Sequence, residues 1–443
     1  MSENALYLFY RVPFVLFRML VEQTKGWYHY DETDNPTGIK ETDAFGRPRI
    51  PVELLVLGVL RMLGRGYVLD GIKELSLISS TTMSTFFHRF NHETRRLLAP
   101  EWIKPPSSWQ ELAKTLRAYG FIGLPGCVGS FDVVHIWWDK CPTYLQNLFT
   151  GKEGFPTIAF QVHCLHNGWI SWVCPGQYGS MNDKTVIRFD DYVSLIREGL
   201  YGKSIGYKLL SRVVTGGVSS VISTLFTNVY EICDGGYHNW LSTISAAKRN
   251  FSQEGIAFRK RLESVRKDIE CVFGRLKGRF RCLKIPIQLH KKEQIEDMFF
   301  VCCILQNMLL KFDGSDNWGK EHDWLNREFS DFTDQGEHWG VPKYNNEPLT
   351  PEHDSSRGPD AENYLSGYDY FSVRKVQIVS GGVSLEEMKN SVSSQPINEQ
   401  LRRLIELYAH VQPGFHTFRN ALIEHFDIYR KYFQHGNAPW IRY

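Results

Sequence analysis

Three carboxylic acids sit where an α/β chain would place chemistry: Asp132 within "GSFDVVHIWWD", Asp234 at the close of "NVYEICDGGY", and Glu270 within "RKDIECVFGRLKGRFRCL". Asp234 follows a β-branched and aromatic run and precedes Gly-Gly, the pattern of a buried strand meeting a turn. Open α/β sheets place their ligands at such strand ends. Taken alone, Asp234 is either a turn-former or a ligand. Asp132 lies on an earlier strand-like run and Glu270 on a helical one, so the three can converge across adjoining strands and a covering helix. Three oxygen donors suit a hard divalent cation, Mg²⁺ or Mn²⁺. Two such ions about 4 Å apart activate a water or hydroxyl and stabilise the leaving oxygen in phosphoryl transfer.

The neighbours of Glu270 sharpen this reading. Arg266, Lys267, Phe273 and Gly274 lie three or four residues away on a helix, and Lys277 follows a turn later, so the carboxylate emerges among cations. A bound metal beside a nucleic-acid phosphate would use both signs. A plain surface ion-pair face is the alternative.

The elements that must carry these residues fall into three regions. Residues 1–120 read as helices: "PVELLVLGVLRMLGRG", the short "LDGIKELS", and "SSTTMSTFFHRFNHETRRLL" with its Ser/Thr capping candidates. This order is helix-turn-helix-like. Met83, Phe87 and Phe90 would face a core, leaving Thr82, Thr85, Arg89 and His92 as a DNA-reading face, with an ordinary helical bundle as the alternative. Residues 121–312 change period. "GSFDVVHIWWD", "TIAFQVHCLH" and "GWISWVCPGQYG" predict an antiparallel meander. "DKTVIRFDDYVSLIREGL" then predicts a single helix, and "NVYEICDGGY" a fourth strand. The long helix around Glu270 has Val265, Ile269, Val272 or Phe273, Leu276 and Phe280 at helical intervals. The expected class is α/β, a sheet with helices packed on it.

Composition narrows the partners. The chain has 443 residues and a net charge of +2, which conceals two opposed fields. Residues 248–292 hold fourteen Lys/Arg against four Asp/Glu, whereas residues 311–370 hold five against fourteen. A basic block of that density meets a polyanion, because neutralising phosphates releases counterions; a solvated helix face is the alternative. Nine cysteines without a C-x-x-C pair fit neither a disulfide framework nor a zinc ribbon and suggest reduced thiols in an intracellular protein. No apolar run reaches membrane-spanning length, so a soluble protein is expected.

"FDVVHI", "GSMND", "CDGGY", "RKDIECVFGRLKGRFRCL" and "VCCILQNML", in this order and spacing, resemble the successive blocks of PIF/Harbinger-type transposases of the DDE superfamily. The resemblance covers about residues 45–312. It implies an RNase H-like catalytic core over 121–312, with Asp132, Asp234 and Glu270 as both catalytic and metal-ligating residues and two Mg²⁺ or Mn²⁺ ions as cofactor. It also implies cutting at terminal inverted repeats and joining of the ends to target DNA, a Myb-like accessory protein, a nuclear location and a homo-oligomer as an open partner. The DNA contacts expected are Thr82, Thr85 and Arg89 in the helical region and Arg266, Lys267, Arg275, Lys277 and Arg281 along and just beyond the Glu270 helix. A domesticated, non-catalytic DNA-binding or scaffold protein is the alternative. His135 and Asp183 also match recurrent family positions. The first is expected to be packed or hydrogen-bonded opposite Asp132, the second to cap the following helix. The family's usual Leu-His-Asn reads Leu-Gln-Asn here, at Gln306. Residues 313–443 fall outside the resemblance: 313–370 mix acids with aromatics, while "PINEQLRRLIELYAHV" and "HTFRNALIEHFDIYRKYF" are expected helices of a small docking module.

Overall fold

In a computed structural model, the described residues are 10–28, 49–66, 69–201, 206–215, 217–246, 252–314 and 414–434. Most of the acidic segment 313–370 and the expected helix at 396–411 lie outside them.

The centre is a mixed sheet. Strand β1 (Cys127–Trp137) runs antiparallel to β2 (Thr157–Cys164), which pairs antiparallel with β3 (Ile170–Val173) and the short β4 (Gln177–Tyr178). On its other side β1 lies parallel to β7 (Tyr230–Cys233), and β7 parallel to β8 (Thr243–Ser245). The spatial order is β3-β2-β1-β7-β8. All eight residues of β2 and all four of β7 are buried, as a central strand covered on both faces requires. The expected meander is present. The chain between it and β7 also forms a separate two-stranded hairpin, β5 (Gly206–Thr215) and β6 (Val218–Thr227), which the sequence analysis did not anticipate. β8 is likewise unexpected, because its three residues are too few for a periodic signal.

Nine helices of five or more residues surround this sheet among the described residues. The N-terminal set is α1 (Phe14–Tyr28), α2 (Val52–Arg65), α3 (Leu69–Ser76), α4 (Ser80–Trp102) and α5 (Trp109–Phe121). Ser79 caps α4, accepting from the Thr82 amide, and Met83, Phe87 and Phe90 are buried as their spacing predicts. Ser108 and Glu111 form a reciprocal capping box at the start of α5.

The expected single helix at 183–200 is instead broken in two. A helical turn, Asp183–Val186, leads through a 3-10 turn to Asp190, and α6 (Asp191–Arg197) begins afresh. Asp190 is fully buried and extended, its Oδ1 accepting from the Tyr192 and Val193 amides. A buried carboxylate drawn into the core cannot stay in helical register. The capping expectation for Asp183 is likewise corrected: Asn182 is the cap, its side chain accepting from the Thr185 amide, and Asp183 is the first residue inside the turn.

Helices α7 (Gln253–Arg279) and α8 (Lys292–Phe312) pack on the sheet. Val265, Ile269, Val272 and Leu276 of α7 are buried, and Phe160 of β2 stacks on Phe299 of α8 with centroids 4.0 Å apart. Phe280 is buried too, but stands one residue past the helix end. Helix α9 (Phe415–Gln434) packs Phe418, Leu422 and Phe426 into one cluster with Tyr230 of β7 and Phe258 and Leu262 of α7. Arg212 of β5 reaches Asp427 at 2.8 Å, and Tyr429 donates to the Phe121 carbonyl at 2.7 Å. The expected docking-module helix therefore rests on the core. No described helix is long and apolar enough to cross a membrane.

One buried amide ties α8 to the sheet. Asn307 accepts from the Ile170 amide at 2.9 Å and donates to the carbonyls of Trp102 and Ile170 at 2.7 and 2.8 Å. Its neighbour Gln306 accepts from Arg279 at 3.3 Å, so the residue that departs from the family pattern does pack locally. Asn307→Leu should cost about 3 kcal/mol, the scale of orphaning buried backbone groups, and appear as a lower urea midpoint at unchanged slope.

Candidate active site

Strand pairing brings two of the acids together. Ser130 pairs with Ile232 across the parallel β1–β7 ladder, so two residues further Asp132 is level with Asp234, just past the end of β7. Helix α7 crosses β1, β2 and β7, and its Arg266 sets Glu270 beside Asp132. The link between helix and strand is Arg266: its Nη1 lies 2.7 Å from Glu270 Oε1 and 3.6 Å from Asp132 Oδ2, while Nε donates to Glu263 Oε2 at 3.2 Å.

Asp132 is half-buried and accepts from the Val133 amide at 2.8 Å. Burial raises its pKa to about 6, with Asp183 and Asp234 adding to the rise and the Val133 amide and Arg266 opposing it. Asp234 is exposed and accepts from the Gly235 amide at 2.6 Å. A fourth acid joins the three. A methyl carbon at Gly236 would lie 2.9 Å from Asp183 Oδ2 and 3.6 Å from Asp234 Oδ2, so both carboxylates flank this glycine. Only a residue without a side chain leaves that space open. Asp183, expected as a cap, is instead one of this group, and its match to a recurrent family position was the usable signal.

The other sequence candidates are placed as follows. His135 Nδ1 is 2.9 Å from Thr157 Oγ1, the hydrogen-bonded histidine expected; burial and Lys152 hold its pKa down. Lys277 is partly buried and donates to the His135 carbonyl at 3.2 Å, and that burial lowers its pKa. Lys267, Arg275 and Arg281 are exposed on or just beyond α7. In α4, Thr85 is exposed, Thr82 shares the Ser79 cap, and Arg89 donates to the Trp27 carbonyl at 3.0 Å and lies over the Trp27 ring. His92 meets Asp297 of α8 at 3.2 Å. None of the three acids lines the cavity of about 310 Å³ between Trp102, Tyr119, His166 and Trp169.

Behind the acids lies a second charged cluster that sequence reasoning missed. His163 of β2 is wholly buried, with Nδ1 3.0 Å from both oxygens of Glu231 on β7 and Nε2 2.6 Å from Asp190 Oδ2. Gln161 also donates to Asp190. Among the described residues, His163, Cys174 and Asp190 are the one set of three His/Cys/Asp/Glu side chains with metal-ligand atoms all within 4.8 Å. Both ring nitrogens already have carboxylate partners at hydrogen-bond distance, so the cluster is a buried ion-paired network. Burial alone would lower the His163 pKa, but Glu231 and Asp190 outweigh it and push it up to about 10. Gly129 on β1 makes room: a methyl carbon there would come 2.8 Å from Glu231 Oε1.

Because the folded pKa is raised, this network contributes fully below the unfolded histidine value of about 6.5, and the contribution fades as pH climbs towards 10. His163→Gln leaves two buried carboxylates uncompensated and should cost roughly 3–5 kcal/mol. Urea midpoints measured from pH 6.5 to 10 should fall for the wild type and be flatter for the variant.

Residues 101–317 match the family described as plant transposon protein. A relative from Arabidopsis thaliana, "Protein ALP1-like", is 24% identical over 278 residues, which are 61% of this chain and 64% of that protein. The match thus spans just under two thirds of the relative's length. No solved structure matches.

Proposed function

We infer, for a chain that belongs through residues 101–317 to the Harbinger-type, transposase-like family, that Asp132, Asp234 and Glu270 form the metal-holding catalytic triad of a DNA-cutting and strand-joining enzyme. The observation that carries this is Arg266, one cation reached at once by a strand acid and a helix acid. Carboxylates that gather around a guanidinium can also gather around Mg²⁺ or Mn²⁺, and their all-oxygen donor set suits either ion. The strand order β3-β2-β1-β7-β8, with only β2 running against the other four, supports an RNase H-like core for the same segment.

Two ions, when bound, supply the charge that activates a water or hydroxyl and steadies the leaving oxygen. The chain's own contribution is positioning. β1 and the end of β7 hold two acids level, and α7 sets the third across from them. Asp183 adds negative charge beside Asp234. Lys267, Arg275 and Arg281 offer exposed cations to a DNA backbone, and Thr85 and Arg89 are the exposed candidates in α4. DNA with terminal inverted repeats, target DNA, a Myb-like accessory protein and a nuclear location complete the proposal.

DNA carrying the sequences that flank the gene is the test substrate. Purified full-length protein should cut it with Mg²⁺ or Mn²⁺, and Asp132→Asn, Asp234→Asn or Glu270→Gln should reduce cutting to background while DNA binding persists. Wild-type cutting by any of the three folded variants would end the assignment. Binding without cutting by the wild type would favour a non-catalytic DNA-binding role. Lys267→Ala should weaken binding across sequences and reduce the slope of log affinity against log salt by about one.

A further inference from the structure

We propose that Arg266 is an internal cation that holds the place of a divalent metal between Asp132 and Glu270, so that metal loading requires its displacement. The inference rests on the triad reading above and deepens it.

An ordinary helix ion pair would need only Glu270, four residues along α7. Arg266 does more. The same Nη1 that meets Glu270 at 2.7 Å also approaches Asp132 on β1 at 3.6 Å, across the gap between helix and sheet. The arginine side chain is only 17% exposed, whereas Glu270 is 47% exposed. A charge held inward between two acids, one of them on another element, neutralises a repulsion that the fold would otherwise have to bear. A divalent ion competing for the same oxygens meets a positive charge already seated there.

The structure also provides a second seat. Arg266 Nε donates to Glu263 Oε2 at 3.2 Å, one turn back on the same helix. Pivoting about that bond, the guanidinium can leave Glu270 and Asp132 without losing its partner. Glu263 therefore keeps a partner for the guanidinium once metal has displaced it, whereas Asp132 and Glu270 hold it only in the metal-free arrangement.

The experiment is a Mn²⁺ titration of the full chain without DNA, followed by isothermal calorimetry or the loss of free-ion paramagnetic resonance signal. Arg266→Gln should tighten Mn²⁺ binding by about tenfold or more, the scale of removing one unit charge at contact distance in a partly exposed site. The gain should vanish in Arg266→Gln combined with Asp132→Asn. Glu263→Gln, which removes the second seat and leaves both acids in place, should weaken binding. If Arg266→Gln binds Mn²⁺ no more tightly than wild type, while Asp132→Asn abolishes wild-type binding, the place-holder is overturned and the metal site stands. If neither wild type nor Arg266→Gln binds Mn²⁺, the site reading itself fails and this inference with it.

Discussion

The buried His163 imidazolium is the contact on which the rest of the sheet and its candidate site depend. Two carboxylates with no access to water hold one cation between them, Glu231 from the strand beside β1 and Asp190 from the segment that covers the sheet. Charges so deeply desolvated tolerate only good geometry. The network therefore sets the position of β7 relative to β2, and of the 183–197 segment relative to both. Asp234 follows β7 by one residue and Asp183 starts the covering segment, so the network fixes the mounting of two acids of the candidate site.

The two faces of the central strands carry separate tasks. On β1, Phe131 lies over His163 with ring centroids 4.8 Å apart, while the adjacent Asp132 approaches Arg266 of α7. Alternation along one strand thus sends the buried ion network to one face and the acid site to the other. His163 has both nitrogens occupied in a closed core, and it stabilises. Asp132, half-exposed, with one oxygen bonded to its neighbour's amide and the other facing a guanidinium, remains available to a ligand.

Holding acids together is costly without a counter-charge, and the raised pKa of Asp132 records that cost. Burial is the largest cause, and Asp183 and Asp234 add to it. The basic stretch of α7, legible as a charge block, has a double use at this point. Arg266 turns inward to the acids and Lys277 to a β1 carbonyl, while Lys267, Arg275 and Arg281 stay at the surface.

The sequence by itself determined what depends on local period and local chemistry. The apolar positions of α7 fix its phase, so Ile269 is buried and Glu270 emerges beside it. The meander follows from alternating and β-branched runs, and Ser79 and Met83 mark the start and inner face of α4. What tertiary structure alone decided are pairings between distant residues, which leave no periodic trace. His163 and Glu231 are 68 residues apart, and Asp190, where the helix breaks, meets His163 from 27 residues further along the chain. The same holds for the level of Asp132 with Asp234, which a parallel register sets, and for Asp183, which reaches the site because Asn182 took the cap and Gly236 left the space. Residue types name the chemistry that is available, but only folding chooses which charges meet.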